Sequence, residues 1–299
     1  MKHLKLFESF KDIKSICKKY GIENYTINPD GSVDVDGNVD LSFSHLFDFP
    51  VVGGLQLTKL PLKFGRVSGS FGCEDNILIT LEGSPREVSG NFYCSDNNLT
   101  TLKGCPEEIS GGFYCKNNQL TTLEGSPERV GGIFDCSFNQ LTTLEGGPRE
   151  VGGSFNCGNN QLTTLEGSPS YIGRDFSCQH NQLTTLEGGP REVGFSFFCQ
   201  HNQLTTLKGS PEIVGGDFYC RYNQLTTLEG APREVRFEFS FRDNPVYQIY
   251  ELFKKRKVFM DSLDWDYIRG NKIVKSRFEE ACAEAGIEVP ESIEGYEYI

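Results

Sequence analysis

A chain of 299 residues with 41 acidic against 29 basic side chains carries a formal charge of −12. That balance disfavours nucleic-acid backbones and anionic membranes as partners, because both would repel it. With 33 glycines and 23 phenylalanines against 2 methionines, the composition points to many turns around a regular core rather than to a helical bundle.

The first 50 residues read as an N-terminal cap. Leu4, Phe7, Phe10, Ile13 and Cys17 lie close to helical spacing, with Gly21 as a C-terminal stop. YTINPDGSVDVDGNVDLS then reads as short strands joined by Asp-Gly and Gly-Asn turns. The opening residues lack the uninterrupted apolar run of a secretory signal, and no stretch reaches the ~18 apolar residues of a membrane span. A cytoplasmic location follows as the expectation, with the 11 cysteines reduced.

Residues 51–244 are governed by a repeat. GGLQLTKLPLKFGRVSG reads as a shortened first copy, with Leu55 and Leu57 in its strand places. Cysteines then fall at 73, 94, 115, 136, 157, 178, 199 and 220, each 21 residues after the last. A phenylalanine stands two places before each cysteine position, from Phe71 to Phe239, and an asparagine three places after it, from Asn76 to Asn244. The unit is V-G-G-x-F-x-C-x-x-N-Q-L-T-T-L-E-G-S-P-x-x.

Each recurring residue has a physical task. F-x-C alternates inward and outward, as a strand with one buried face must. A stacked asparagine can bond the backbone of adjacent turns and satisfy buried polar groups. The two leucines close the core. Gly83 through Gly230 permit positive φ and Pro85 through Pro232 forbid helix, so the return is extended or turn-like. One unit cannot bury its apolar side alone, but stacked copies can.

The unit resembles the leucine-rich repeat, L-x-x-L-x-L-x-x-N-x-L, over about residues 67–244. Phe, Cys, Asn and Leu fill its second, third, Asn and fourth positions. Phe and Cys replace the usual aliphatics, and the first apolar residue (Val88, Val130) lies one place early. The short Pro-containing return is similar to the bacterial class of these repeats, found in effectors and in bacteriophage-encoded proteins. The resemblance implies a solenoid with a parallel β-sheet on one face, capped at both ends. MKHLKLFESF also resembles the N-termini of proteins of large tailed bacteriophages, some of which carry capsid-targeting helices.

Residues 245–299 read as a C-terminal helical cap and an acidic tail. Pro245 opens one helix, the basic run KKRK lies near its end, NKIVKSRFEEACAEAG forms a second, and VPESIEGYEYI is the tail.

Of the groups that could carry chemistry, the cysteine column comes first. Its members face one apolar interior in a row, which suits packing better than disulfides or zinc. His180 and His201 share one repeat position, where no column rule dictates the residue, and should stack as neighbours near the exit edge of the sheet. Two ligands make a weak metal site, and neither metal nor cofactor is expected. With only four histidines (His3 and His45 are the others) and Cys282 inside an amphipathic helix, no catalytic constellation is recognisable, so an enzyme is not expected. The glutamate column from Glu82 to Glu229 reads as a solvated return face relieved by Lys103, Lys208 and nearby arginines, with calcium binding as the alternative.

The outward strand residues vary in type while the core positions hardly vary. They include Tyr, Phe and Arg, the types that dominate binding hot spots. Two patches are expected to meet a protein partner: Tyr93 and Tyr114 with Phe138, and Phe198, Tyr219, Arg221 and Tyr222 beside His180 and His201. Aromatic stacking that merely stabilises the sheet is the competing explanation. The reading is a non-enzymatic protein-binding module, a phage product that engages or inhibits a host protein. The alternative is a virion component packaged through its N-terminal helix.

Overall fold

The computed structural model describes residues 12–43, 56–254, 268–269 and 271–299. Leu4, Phe7 and Phe10 of the expected first helix, Leu55, His3, His45 and residues 255–257 of the basic run lie outside the described residues.

Every 21-residue turn contributes two strands of two residues each. The first set, Phe71–Gly72 through Phe239–Ser240, lines up in parallel and in register as a ten-stranded sheet that begins with Val39–Asp40. This phenylalanine sheet is the expected one. The second set, Glu87–Val88 and its successors, pairs in the return segment as a further parallel ladder. It starts from the antiparallel hairpin Tyr25–Ile27/Val33–Val35 and Phe64–Val67 and runs to Tyr171–Ile172. It then resumes as a separate three-stranded sheet from Glu192–Val193. The chain is thus a parallel-strand solenoid, and its return is extended.

The interior is a set of axial columns. Phe71 through Phe218 are fully buried, and their rings stack face to face 5.1–5.7 Å apart. Burying one such side chain is worth about 2–3 kcal/mol. Cys73 through Cys220 are 0% exposed and free, so their column is packing. Burial pushes their thiols well above the usual range. Cys105 stands instead in the serine column of the return, its Sγ donating to Gly125 O at 2.8 Å as Ser126 Oγ does to Gly146 O at 2.9 Å.

The asparagine column supplies hydrogen bonds that no strand can make. Asn160 Nδ2 donates to the carbonyls of Cys136 (3.1 Å), Cys157 (3.1 Å) and Gly158 (3.4 Å), while its Oδ1 accepts from Leu141 N (3.0 Å). One side chain thus gives the buried Leu141 N its acceptor and adds a second donor to three carbonyls that Asn139, Asn181 and Phe138 N also serve. In the return, Gly209 has φ +85°, and a Cβ there would come within 2.3 Å of Glu187 N on the preceding turn. Only glycine allows that approach.

The ends differ from the sequence reading. Val39 pairs with Phe71 and Leu41 N donates to Gly72 O, so Val39 and Leu41 occupy the Phe and Cys places of a turn that begins before residue 50. From Val39 to Phe71 is 71 − 39 = 32 residues, a longer first turn. Leu57 N donates to Asn76 Oδ1 (2.7 Å) as Leu78 N does to Asn97 Oδ1 (2.9 Å). Leu57 therefore fills the first leucine place, not a strand place. Helix α1 covers residues 12–19 and buries Ile13 and Cys17 against this turn.

At the other end α2 (Pro245–Lys254) follows Asn244, and Val246 N donates to Leu225 O as the last rung. Ile249 and Phe253 of α2 form a second core with Ile273, Ile293, and Phe278 and Cys282 of α3 (Lys275–Ala285). The acidic tail packs as part of this cap. Ile293 is buried, Glu297–Tyr298 pairs in parallel with Lys272–Ile273, and the Tyr296 hydroxyl donates to Thr226 O on the solenoid (2.5 Å). The tail's alternating apolar residues, rather than its charge, decide its fate. Among the described residues no helix is long and apolar enough to cross a membrane.

Candidate functional site

The outward face of the phenylalanine sheet has three rows. The first is the residue between Phe and Cys, the second the residue after Cys, and the third the residue after that. A two-residue strand makes the first row stand perpendicular to the sheet, so neighbours one turn apart meet directly.

The first row holds two stacked pairs. Tyr93 and Tyr114 lie 4.9 Å apart with rings 15° from parallel, and Phe198 and Tyr219 lie 5.5 Å apart at 6°. Asn91 Nδ2 donates to the Tyr93 hydroxyl (2.6 Å), fixing the first pair. Three turns without an aromatic in this row, those of Asp135, Asn156 and Ser177, separate Tyr114 from Phe198.

The second row carries Arg221, whose guanidinium sits 5.2 Å over the Tyr219 ring. It also donates from Nε to Ser240 Oγ (2.6 Å) and from Nη2 to Glu238 Oε1 (3.0 Å), while the Tyr219 hydroxyl donates to Glu238 Oε2 (3.3 Å). Ser240, Arg221 and Tyr219 together hold the Glu238 carboxyl below its usual range. Gln179 and Gln200 fill the same row, each with a buried Oε1 that has no partner within the chain.

The third row is governed by a backbone rule that the sequence reading missed. Asp75, Asp96, Asn117, Phe138, Asn159, His180, His201, Tyr222 and Asp243 all have φ between +53° and +58°. Asn, Asp and His enter this left-handed region with least strain, whereas a bulky residue there is an outlier costing about 1–2 kcal/mol. Most of the row obeys that preference. Phe138 and Tyr222 do not, and both are more than half exposed (54% and 52%). His180 and His201 stack as expected, with centroids 4.3 Å apart, and Tyr222 extends the stack at 4.5 Å from His201. Burial first, then His201, pulls the His180 pKa down.

The second expected patch is therefore brought together, as Phe198–Tyr219–Arg221 in the inner rows and His180–His201–Tyr222 in the third. The first patch is only partly assembled. Tyr93 and Tyr114 stack, while Phe138 makes no ring contact with either. Beside them, Asp75, Asp96, Asn98, Asn117 and Gln119 line a polar groove of about 550 Å³.

A further surface lies on the second ladder. Tyr171 (59% exposed) and Ile213 replace the usual Glu, and Phe195 and Phe237 (69% exposed) replace the usual Gly. Phe195 and Phe237 meet edge to face at 6.4 Å, and Tyr171 and Ile213 border a groove of about 430 Å³ at the break between the two short-stranded sheets. The signal available in sequence was four apolar departures, beside the charged Arg129 and Arg174, from columns otherwise of Glu and Gly. The expected relief of the glutamate column holds for Lys208, which pairs with Glu229 at 3.2 Å. Arg149 and Arg86 turn instead to Glu128 and Asp30.

Strand order, register and the 21-residue turn make this chain a parallel-strand solenoid with an aromatic outward face, consistent with a short leucine-rich-repeat protein. Among solved structures it is similar to YopM from Yersinia enterocolitica WA-314, with 20% identity over 69% of this chain and 47% of that one, at a TM-score of 0.44. It is likewise similar to YopM, a leucine-rich effector protein from Yersinia pestis, with 22% identity over 69% and 60% and a TM-score of 0.45. The chain spans about half the length of these proteins. No protein-family model matches it, and no curated protein matches its sequence.

Proposed function

We propose that the chain is a non-enzymatic interaction module that captures a protein partner on the outward face of the phenylalanine sheet. The reading is carried by one observation: aromatic and arginine side chains are held in stacks and hydrogen bonds on a rigid ladder before any partner arrives. Phe198, Tyr219, Arg221, His180, His201 and Tyr222 form such an array. Pre-ordered aromatics lose little rotamer entropy on binding, and that is where interface hot spots arise. Phe138 and Tyr222 add support, since a strained backbone carrying an exposed aromatic is retained at a stability cost. Resemblance of the opening residues to phage proteins makes a host protein the partner class.

The test is affinity capture followed by measurement of Kd for the captured partner. Tyr219→Ala/Arg221→Ala and Tyr93→Ala/Tyr114→Ala should each weaken binding by about tenfold or more, roughly 1.4 kcal/mol. A return-side control, Glu124→Gln/Glu166→Gln, should leave it unchanged. Equal capture by all variants would sink the sheet-face reading.

A further inference from the structure

The two stacked pairs on the phenylalanine sheet differ in one ingredient. At the second pair the chain supplies its own cation: Arg221 lies 5.2 Å over the Tyr219 ring and bonds the Glu238 carboxylate at 3.0 Å. At the first pair a tyrosine face and a carboxylate are present, and the cation is not. Asp40, Gly72, Tyr93 and Tyr114 follow one another in the first row on four paired strands. Tyr114 covers one face of Tyr93 at 4.9 Å. The other face looks across Gly72, which has no side chain, toward Asp40 two strands away, about 10 Å. A flat group standing over Gly72 would lie about 5 Å from Tyr93, as Tyr114 does on the opposite side.

The floor of this gap is a carboxylate without a partner. Glu74 leans back over Gly72, where a Cβ would meet its Oε2 at 2.8 Å. That oxygen is buried and accepts no hydrogen bond. Burial first, and then the charges of Asp40, Asp75 and Asp96, hold the Glu74 carboxyl above its usual range. Among the described residues no cation pairs with Glu74, Asp75 or Asp96. Lys116, the first cation in these rows, stands two turns on, beyond Tyr93. The carboxylates come from separate turns, and among the described residues they form no group close enough to hold a metal ion. A guanidinium suits them better. It is planar and stacks on an aromatic face. Its five donors diverge, so one group reaches more than one carboxylate, and it is more weakly hydrated than an ammonium.

Resting on the sheet-face reading for its source, we infer that an arginine side chain of the protein partner inserts over Gly72, lies flat on Tyr93 and pairs with Glu74. It completes in trans the set of tyrosine, carboxylate and guanidinium that Tyr219, Glu238 and Arg221 complete within the chain. Glu74 turns outward to meet it, exchanging a buried oxygen without a partner for a charge-assisted bond. Asp40, Asp75 and Asp96 supply the field that draws the cation in.

The test needs no identified partner. The full chain is titrated by NMR with the blocked tripeptide acetyl-Gly-Arg-Gly-amide, in about 0.15 M salt to screen distant charges. Its citrulline counterpart keeps the shape and loses the charge. Signals of Gly72, Glu74 and Tyr93 should shift together with a Kd on the order of 1 mM, and the citrulline peptide should bind about tenfold more weakly. Gly72→Asn fills the gap with a residue the row already carries at Asn156, and Glu74→Gln introduces one its own row carries at Gln179. Each should cut affinity for the arginine peptide about tenfold, while Glu124→Gln should leave it unchanged. No binding of the arginine peptide, equal binding of the citrulline peptide, full affinity in Gly72→Asn, or shifts centred on the glutamate column would each overturn the inference. If one of these came with loss of the natural partner in Tyr219→Ala/Arg221→Ala, the sheet-face reading would stand and the arginine slot alone would fall.

Discussion

Within every turn the inward and outward residues of one two-residue strand obey different rules. Inward, Phe155, Cys157, Asn160, Leu162 and Leu165 repeat with the period of the chain, because each must meet its own copy about 4.8 Å above and below. Outward, Tyr114, Asp135, Asn156 and Ser177 follow one another along the same sheet with no shared chemistry. A solenoid thus separates the task of folding from that of recognition by side of strand rather than by stretch of sequence. The third row is the boundary case: it faces outward, yet its backbone carries a column rule.

The sharpest way to break this contrast is to open the core. Phe155→Ala removes one ring from the middle of the stack and should cost about 3–5 kcal/mol, read from urea denaturation. A cost below about 1 kcal/mol would mean that the columns do not carry the fold. Asn160→Ala leaves Leu141 N without its acceptor and takes one of two donors from the carbonyls of Cys136, Cys157 and Gly158, and should cost about 2 kcal/mol. A matching truncation outward, Asn156→Ala, removes only a local bond to Gly158 N and should stay within about 0.5 kcal/mol.

The boundary row gives an effect of opposite sign. Phe138→Asn puts a left-handed-tolerant residue at φ +54° and should stabilise the chain by about 1 kcal/mol. Loss of partner affinity in the same variant would show that the strain is kept for recognition. A destabilised variant would refute the backbone rule.

Glu74 gives the smallest effect. Its folded pKa is raised, so the folded state binds more protons than the unfolded one over the interval between the two values. Stability therefore falls as pH rises through that interval and stays lower above it. Glu74→Gln should remove the dependence and stabilise the chain at pH 7 by about 0.5 kcal/mol, after allowance for solvent screening. A pH profile identical to that of the parent would contradict the assignment.

The repeat, the buried cysteine column and the histidine stack were legible because a 21-residue period constrains every copy at once. Two-residue strands carry no alternation of their own, so the ladder through Val88 and Val130 could be read only as an extended return. Positive φ leaves a trace in residue type, and Asp75, Asp96, Asn117 and Asn159 show it, but Phe138 and Tyr222 conceal it. Register at the N-terminal end was hidden by the 32-residue turn, which broke the period that identified all the others. In the tail, Ile293 and Tyr298 are buried or paired through contacts with residues far away in sequence, which a local reading of charge could not anticipate.

The central claim is that the outward rows bind without supporting the fold, and Tyr219→Ala/Arg221→Ala tests it in one sample. Denaturation and partner titration of that variant should show stability within about 1 kcal/mol of the parent and affinity reduced about tenfold or more. Unchanged affinity alongside a large loss of stability would contradict the claim, because the array would then be part of the scaffold.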